Sequence, residues 1–268
     1  MSSEIYSVSP ILTEIKQQIG SRIKELGRAP RMAILRAVSN PAAVLLEKRI
    51  LSACQDTGIV PWSMELPAYL PQEVLVSAVH KVGQDPSIDG VALICPEQYD
   101  LGLLGAAIGE EKDVGGLLRS ASARFLPCFD SAVLRVLQHY EIPLKGKNIV
   151  LAEYSEPKHF ILKSILSLQG ASVTAVTDLA ETDSSCFQNS EVIFSSVSPS
   201  VLDDQGCLQN QPFVFFMGTG YYGEPLLEND GIADVLPNTA GVFPIPEGID
   251  VIIPYIYAYN TAFSAQKR

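Results

Sequence analysis

The sequence predicts an α/β fold with two domains, each built on a parallel sheet covered by helices. Short apolar segments bounded by Pro, Gly or Asn alternate with longer segments whose apolar residues recur every three or four positions. The first kind is typical of buried strands and the second of amphipathic helices. Because strand and helix alternate at this spacing, the pattern indicates βαβ units, which require parallel strands.

The first series of units begins with a helix. Ile11, Ile15, Ile19 and Ile23 lie four residues apart, and Gly27 marks the end of the helix that they predict. The elements predicted after it are a strand at 31–38, a helix at 40–58, a strand at 59–66, a helix at 71–83, a strand at 91–95 and a short helix after residue 100.

A second series begins after Gly146 and predicts a smaller, Rossmann-like domain. Its predicted elements are strands at 149–152, 172–176, 192–195 and 213–217 and a helix at 157–168, with a helix at 131–140 before them. A last helix at 251–264 is expected to return to the first domain. The predicted domains are therefore 1–125 with 251–268, and 126–250.

The charge balance argues against binding to nucleic acid or to an anionic membrane. The 268 residues include 30 Asp and Glu against 19 Lys and Arg, which gives a formal charge of −11. Binding to phosphates needs a basic face, and the sequence contains no cluster of Lys and Arg. No segment has the length of a membrane span, and no signal-peptide pattern is present. We therefore expect a soluble, cytoplasmic protein.

The cysteine and histidine patterns argue against a metal site. An odd number of cysteines at wide spacings, without a CxxC pair, is typical of a reduced protein without disulfides. The histidines share no metal-ligand spacing, so no metal is expected. The residues concerned are Cys54, Cys95, Cys128, Cys186 and Cys207, with His80, His139 and His159.

A set of short motifs occurs in a fixed order along the chain. They are Pro41-Ala42, Gly58-Ile59, Asp85-Pro86, Asp89-Gly90, Glu111-Lys112-Asp113-Val114, Phe125-Leu126-Pro127-Cys128, Gly146-Lys147-Asn148, Pro244-Ile245-Pro246 and Asn260-Thr261. In their order and spacing, these motifs resemble the methylenetetrahydrofolate dehydrogenase/cyclohydrolase (FolD-like) family over essentially the whole chain. The resemblance implies the two-domain fold, a ligand cleft between the domains, and a homodimer formed through the second domain.

At four positions where that family has polar side chains, this sequence has an apolar residue or a glycine. The resemblance places the family's catalytic tyrosine and lysine at Leu46 and Ile50, its glutamine at Ile94 and its folate-binding aspartate at Gly115. Isoleucine can neither transfer a proton nor activate water. Conventional dehydrogenase and cyclohydrolase activity is therefore not expected from the sequence.

The segment that corresponds to the family's nucleotide-binding loop also differs strongly from the family sequence. The resemblance places the family's glycine-rich NADP loop at 153–161, where the sequence is Glu-Tyr-Ser-Glu-Pro-Lys-His-Phe-Ile. Glycines at such a loop let the backbone approach a pyrophosphate, and Glu153 and Glu156 would instead repel a phosphate. We therefore expect no cofactor, and no useful affinity for NADP.

The candidate site residues follow from the same comparison. Three carboxylates near the implied cleft are candidates for a general acid or base. Glu47 would border the cleft, Asp113 stands in a motif that matches the family, and Asp250 replaces a glycine of the family's closing motif. Apolar and small side chains would line an open pocket for an apolar small-molecule ligand, or would fill a collapsed cleft as core. These pocket candidates are Leu46, Ile50, Ile94, Cys95, Gly115, Cys128 and Ile249.

Three functions are compatible with these observations. The main hypothesis is a cofactor-independent enzyme of specialised metabolism that cyclises or isomerises a largely apolar, non-folate small molecule. The second is a non-catalytic binding or scaffold protein. The third is a residual oxidoreductase of the methylenetetrahydrofolate dehydrogenase/cyclohydrolase type. The fold alone does not distinguish among them.

Overall fold

The computed structural model describes residues 4–96, 98–118, 120, 123–152, 156–179, 184–216, 232–244 and 247–266, with side chains except at 156–160 and 184. Within these ranges the chain forms two compact units. The first unit contains 9–132 and 252–266, and the second contains 4–8, 133–216 and 232–251. Both combine a parallel sheet with helices, so the predicted α/β class is confirmed. The predicted domain ranges stay a prediction.

The regular elements are numbered in chain order. The strands are β1 (Glu4–Ile5), β2 (Arg31–Arg36), β3 (Val60–Glu65), β4 (Gly90–Ile94), β5 (Asn148–Ala152), β6 (Ser172–Val176), β7 (Val192–Ser195), β8 (Phe213–Phe216) and β9 (Gly241–Phe243). The helices are α1 (Ser9–Leu26), α2 (Pro41–Thr57), α3 (Gln72–Gly83), α4 (Leu101–Ile108), α5 (Cys128–His139), α6 (Glu156–Leu168), α7 (Pro199–Asp204), α8 (Ile232–Val235) and α9 (Ile249–Ser264). Short 3₁₀ turns lie at Ser184–Phe187 and Leu236–Asn238.

The ends of α2 follow from local sequence. The Asn40 side chain accepts a hydrogen bond from the backbone N–H of Ala43 at 2.7 Å, which satisfies one of the free donors of the first turn. Pro41 occupies the first helical position, where a missing N–H has no cost. Gly58 ends the helix with φ at 79° and donates its N–H to the carbonyl of Cys54. The buried face consists of Ala42, Ala43, Leu46, Ile50, Ala53 and Cys54.

The first unit is organised on a three-stranded parallel sheet in the order β3-β2-β4. The central strand β2 is buried from Met32 to Arg36, whereas the edge strand β3 exposes Val60 and Trp62. The last helix, α9, joins this unit from Ile252 onward. Its Ser264 hydroxyl donates to the carbonyl of Asp89 at 2.6 Å, directly before β4.

The second unit contains a six-stranded parallel sheet in the order β1-β9-β8-β7-β5-β6. Strand β5 pairs with β6 on one side and with β7 on the other, so the direction of winding reverses there. Such a switch point is the usual ligand position of a doubly wound sheet, at the carboxyl ends of the strands. Stacked rings of Phe194, Phe215 and Phe243 cross the sheet at centroid distances of 4.6 and 4.3 Å.

Several short elements of the second unit were missed by the sequence prediction, namely β1, β9, α7 and α8. They have two to six residues each, which is too short for a periodic pattern. Strand β1 pairs with β9, from which it is separated by more than 230 residues in the sequence, and Glu4 lies opposite Gly241. Gly241 is required there because a Cβ atom would overlap the ring of Tyr6.

No helix among the described residues is long and apolar enough to cross a membrane. Within the same part of the chain, no three His, Cys, Asp or Glu side chains lie close enough together to hold a metal ion. The five cysteines are free thiols, and all but Cys186 are buried.

Candidate functional site

The predicted pocket residues of the first unit are buried. Leu46 and Ile50 lie on the inner face of α2 and are 4% and 0% exposed. Ile94 and Cys95, at the end of β4, are each 3% exposed. All four therefore contribute to the packing of the protein interior. Ile249, at the start of α9, belongs to the second unit and is also buried.

Glu47 is held in an ion pair with Arg36. Its Oε2 accepts from Nε of Arg36 at 2.5 Å, and its Oε1 accepts from the hydroxyl of Ser63. The guanidinium also reaches Glu65 at 3.0 Å and the carbonyl of Val38 at 2.6 Å. Burial lowers the pKa of Arg36, but hydrogen bonds to the two glutamates outweigh burial and raise it. Both oxygens of Glu47 are thus engaged, which suits holding α2 to the sheet better than accepting a proton.

We expect Glu47→Gln to destabilise the protein by about 2 kcal/mol, because it leaves the buried Arg36 with one charged partner fewer. The free energy of unfolding in urea measures this loss. The matched control is Glu65→Gln, which removes the exposed partner of the same guanidinium and should cost less than about 0.5 kcal/mol. Equal effects of the two changes would contradict a structural role of the Arg36–Glu47 pair.

Asp250 has a local structural partner. Its Oδ1 accepts from the backbone N–H of Gly248 at 3.0 Å, and the side chain is 5% exposed in the first turn of α9. An acidic residue at that position also interacts favourably with the helix dipole. The second unit contains Asp250, whereas Glu47 and Asp113 belong to the first.

Asp113 is the most distinctive of the three candidate carboxylates. It is 3% exposed, and its Oδ2 accepts from the backbone N–H of Leu118 at 2.7 Å. Its Oδ1 has no hydrogen-bond partner among the described residues. Burial raises the pKa of Asp113, against the opposing effect of backbone amides beginning with that of Leu118. The amides of residues 115–118 thus face the carboxylate and favour its charged form, which makes Asp113 a structural support of this segment.

The cysteines near the candidate site are protonated thiols. Burial raises the pKa of Cys95 to about 12 and raises that of Cys128 well above its ordinary value. Because the thiolate is the nucleophile, neither side chain is activated for nucleophilic chemistry near neutral pH. The Cys128 thiol instead donates to the carbonyl of Val114 at 3.3 Å, beside the amide of Asn260, which donates to the same carbonyl at 2.9 Å.

The switch point of the second unit lies at the carboxyl ends of β5 and β7, at Ala152 and Ser195. The Ser195 hydroxyl donates to the carbonyl of Val197 at 3.0 Å and accepts from its N–H at 3.1 Å. Glu153 and the side chain of Glu156, which are predicted to repel a phosphate, lie outside the described residues. That effect stays a prediction.

Comparison with known proteins shows which family the chain resembles. Residues 7–115 match the family model described as tetrahydrofolate dehydrogenase/cyclohydrolase, catalytic domain. Over most of its length the chain is also similar in sequence to bifunctional FolD proteins. It is 24% identical to bifunctional protein FolD 1 of Desulfitobacterium hafniense over 96% of this chain and 97% of the relative. A FolD of Lactobacillus acidophilus is 26% identical, over 90% and 89% of the two chains.

Solved structures of FolD enzymes share the fold of this chain. FolD methylenetetrahydrofolate dehydrogenase/cyclohydrolase from Campylobacter jejuni superposes with a TM-score of 0.79 at 21% identity, covering 96% of each chain. The FolD enzyme of Trypanosoma brucei, solved with NADP cofactor and inhibitor, gives a TM-score of 0.79 at 17% identity over 98% and 97% of the two chains. The predicted FolD-like resemblance and two-domain α/β fold are therefore confirmed.

These relatives overturn the main functional hypothesis from the sequence. A cofactor-independent cyclase or isomerase acting on a non-folate, apolar molecule is wrong, because the matched relatives are bifunctional FolD proteins and the matched structures are methylenetetrahydrofolate dehydrogenases. The hypothesis gave most weight to four substituted positions, Leu46, Ile50, Ile94 and Gly115. Three of these side chains pack in the interior, so their apolar character does not indicate an apolar substrate.

Proposed function

We propose that this FolD-like chain is an oxidoreductase of the methylenetetrahydrofolate dehydrogenase/cyclohydrolase type. The observation that carries the proposal is similarity to bifunctional FolD proteins over 90–96% of the chain, which includes residues of both units. This was the third of the functions compatible with the sequence.

The fold offers a position for the nicotinamide cofactor that such a reaction uses as hydride acceptor. In the second unit, β5 and β7 flank the switch point at which doubly wound sheets bind dinucleotides. Strand β5 ends at Ala152 and α6 begins at Glu156. This topology fits a dinucleotide. The proposal therefore requires NADP or NAD to bind despite Glu153 and Glu156, contrary to the expectation from the sequence.

The residues of α2 favour one of the two activities over the other. Hydrolysis of a methenyl folate requires the protein to activate water, whereas the dehydrogenase reaction depends mainly on aligning the two reactants. Leu46 and Ile50 cannot act as bases, and both oxygens of Glu47 are engaged by Arg36 and Ser63. We therefore propose that dehydrogenase activity exceeds cyclohydrolase activity.

The test uses the purified protein with 5,10-methylenetetrahydrofolate and either NADP or NAD. We expect nicotinamide-dependent formation of the methenyl product, followed by its absorbance, and little acceleration of methenyl hydrolysis in a parallel reaction. A reaction without nicotinamide is the control. Absence of methenyl product with both nucleotides, at enzyme concentrations comparable with substrate, would refute the oxidoreductase proposal.

We also propose a cytoplasmic homodimer that takes a small-molecule substrate and has no nucleic-acid or membrane partner. The formal charge of −11 supports the last two points, because phosphate-rich partners are bound by basic surfaces. The homodimer rests on the family resemblance alone.

A further inference from the structure

Strand β6 of the second unit is followed by an acidic residue at the edge of the sheet where a dinucleotide is proposed to bind. Val176, the last residue of β6, pairs with Ala152, the last residue of β5, so the two strands reach the carboxyl edge together. Asp178 follows two residues later and is exposed. Asp178 therefore lies at the carboxyl edge, on the β6 side of the switch point between β5 and β7.

The end of the second strand of a β–α–β unit is where a dinucleotide-binding sheet distinguishes NAD from NADP. An acidic residue there, roughly 20 residues after the first strand-to-helix turn, accepts a hydrogen bond from the ribose of NAD, whereas a nearby arginine accommodates the 2′-phosphate of NADP. In this chain β5, α6 and β6 form such a unit, because β5 and β6 are parallel neighbours joined through α6. Asp178 thus has the sequence position of the acidic residue that accompanies NAD.

The sequence after β6 supplies no cation for a 2′-phosphate. The last basic residues before β6 are Lys158 and Lys163, both in α6, and the next one in the sequence is Lys267. The connections that follow β6, β7, β8 and β9 all fall between Lys163 and Lys267. The connection after β6 instead contains two further acidic residues, Glu181 and Asp183. A 2′-phosphate at the end of β6 would therefore meet negative charge, and like charges at short range repel.

We propose that Asp178 makes the second unit select NAD over NADP, by accepting hydrogen bonds from the ribose hydroxyls in the adenosine half of NAD. An ionised carboxylate has two acceptor oxygens and no donor, which suits a pair of hydroxyls and not a phosphate. The same choice reduces the repulsion expected from Glu153 and Glu156, because NAD carries one phosphate fewer than NADP. The inference rests on the proposed function, in that the second unit binds a nicotinamide dinucleotide.

Asp178→Ser is the first variant, because it removes the negative charge and leaves a hydroxyl that can donate to a phosphate oxygen. We expect NAD to bind roughly 10-fold more weakly, the usual effect of losing a hydrogen bond to a charged group. NADP should bind no more weakly than before, so the preference for NAD falls by at least about 10-fold. Because Asp178 is exposed, the variant should keep the fold.

Asp178→Arg is the second variant, because a guanidinium at this position can pair with a phosphate. We expect it to reverse the preference, so that NADP binds more tightly than NAD. Asp204→Ser is the matched control, since it removes the same charge from an exposed position at the end of α7. The control should bind each nucleotide as the unchanged protein does.

Calorimetric titrations with NAD and with NADP measure these affinities without turnover, and melting curves confirm that each variant is folded. We expect the unchanged protein to bind NAD at least about 10-fold more tightly than NADP. Equal or tighter binding of NADP by the unchanged protein would overturn the inference. A preference for NAD that persists in the folded Asp178→Ser variant would overturn it as well.

Failure of the inference is distinguishable from failure of the proposed function. Selective binding of NAD without oxidation of methylenetetrahydrofolate would refute the proposed function and support the assignment of Asp178. Oxidation of methylenetetrahydrofolate with NADP bound as tightly as NAD would leave the proposed function standing and overturn only the role of Asp178. Absence of binding to either nucleotide would overturn both.

Discussion

Replacement of Ile50 by lysine is expected to destabilise the protein by several kcal/mol. Ile50 is 0% exposed on the inner face of α2. A lysine there must either bury its charge without a partner, lose its proton, or push the helix away from the sheet, and each has a large cost. We expect a loss of about 4 kcal/mol, at the upper end of single-residue effects.

Urea unfolding followed by circular dichroism measures this loss. The matched control is Ser52→Lys, which places the same side chain on an exposed position two residues further along the same helix. The control should change the free energy of unfolding by less than about 0.5 kcal/mol. Equal stability of the two lysine variants would show that water reaches Ile50, and the interior position assigned to it would be wrong.

Replacement of Gly116 by alanine is the second change with a large expected effect. Its φ angle of 69° places Gly116 in the left-handed region, where a side chain costs about 1–2 kcal/mol. In addition, a Cβ atom would overlap the backbone of Leu126 and lie 2.5 Å from the nitrogen of Pro127. Because a backbone contact cannot be relieved by a rotamer change, we expect a total loss of about 3 kcal/mol or more.

The control for this change lies next to it in the sequence. Gly115→Ala introduces the same methyl group without a positive φ angle and without a close contact, so its unfolding free energy should stay within about 1 kcal/mol of the original. Thermal melting of the two variants side by side measures the difference. Similar melting temperatures would mean that the segment between Asp113 and Leu118 relaxes more easily than its contacts indicate.

The regular elements were predictable wherever a local rule determined them. The helix around Leu46 carried its own signals, with Asn40 and Pro41 before it and Gly58 after it, and it occurs within one residue of these boundaries. Most other long elements differ from their predicted ends by one to three residues. Strand β1 was missed because a strand of two residues is too short to show an alternating pattern. It forms only by pairing with β9, whose residues lie near position 241.

The candidate site was less predictable because its contacts join distant parts of the sequence. No local pattern places Tyr257 beside Gly115, since the approach depends on how α9 packs within the first unit. The engagement of Glu47 by Arg36 and Ser63 likewise requires α2, β2 and β3 to be assembled. The substitutions at Leu46 and Ile50 were visible in the sequence, but their meaning for function was not.

The way in which the chain closes both units has a consequence for its synthesis. The second unit takes its first strand from Glu4–Ile5, which pairs with Gly241–Phe243. The first unit receives α9, where Thr261 covers Gly90 and Ser264 reaches the carbonyl of Asp89. A chain still attached to the ribosome must therefore keep both units incomplete until residues 241–264 have emerged. Such long-range closure is slow, and it leaves apolar surface of both units uncovered for longer.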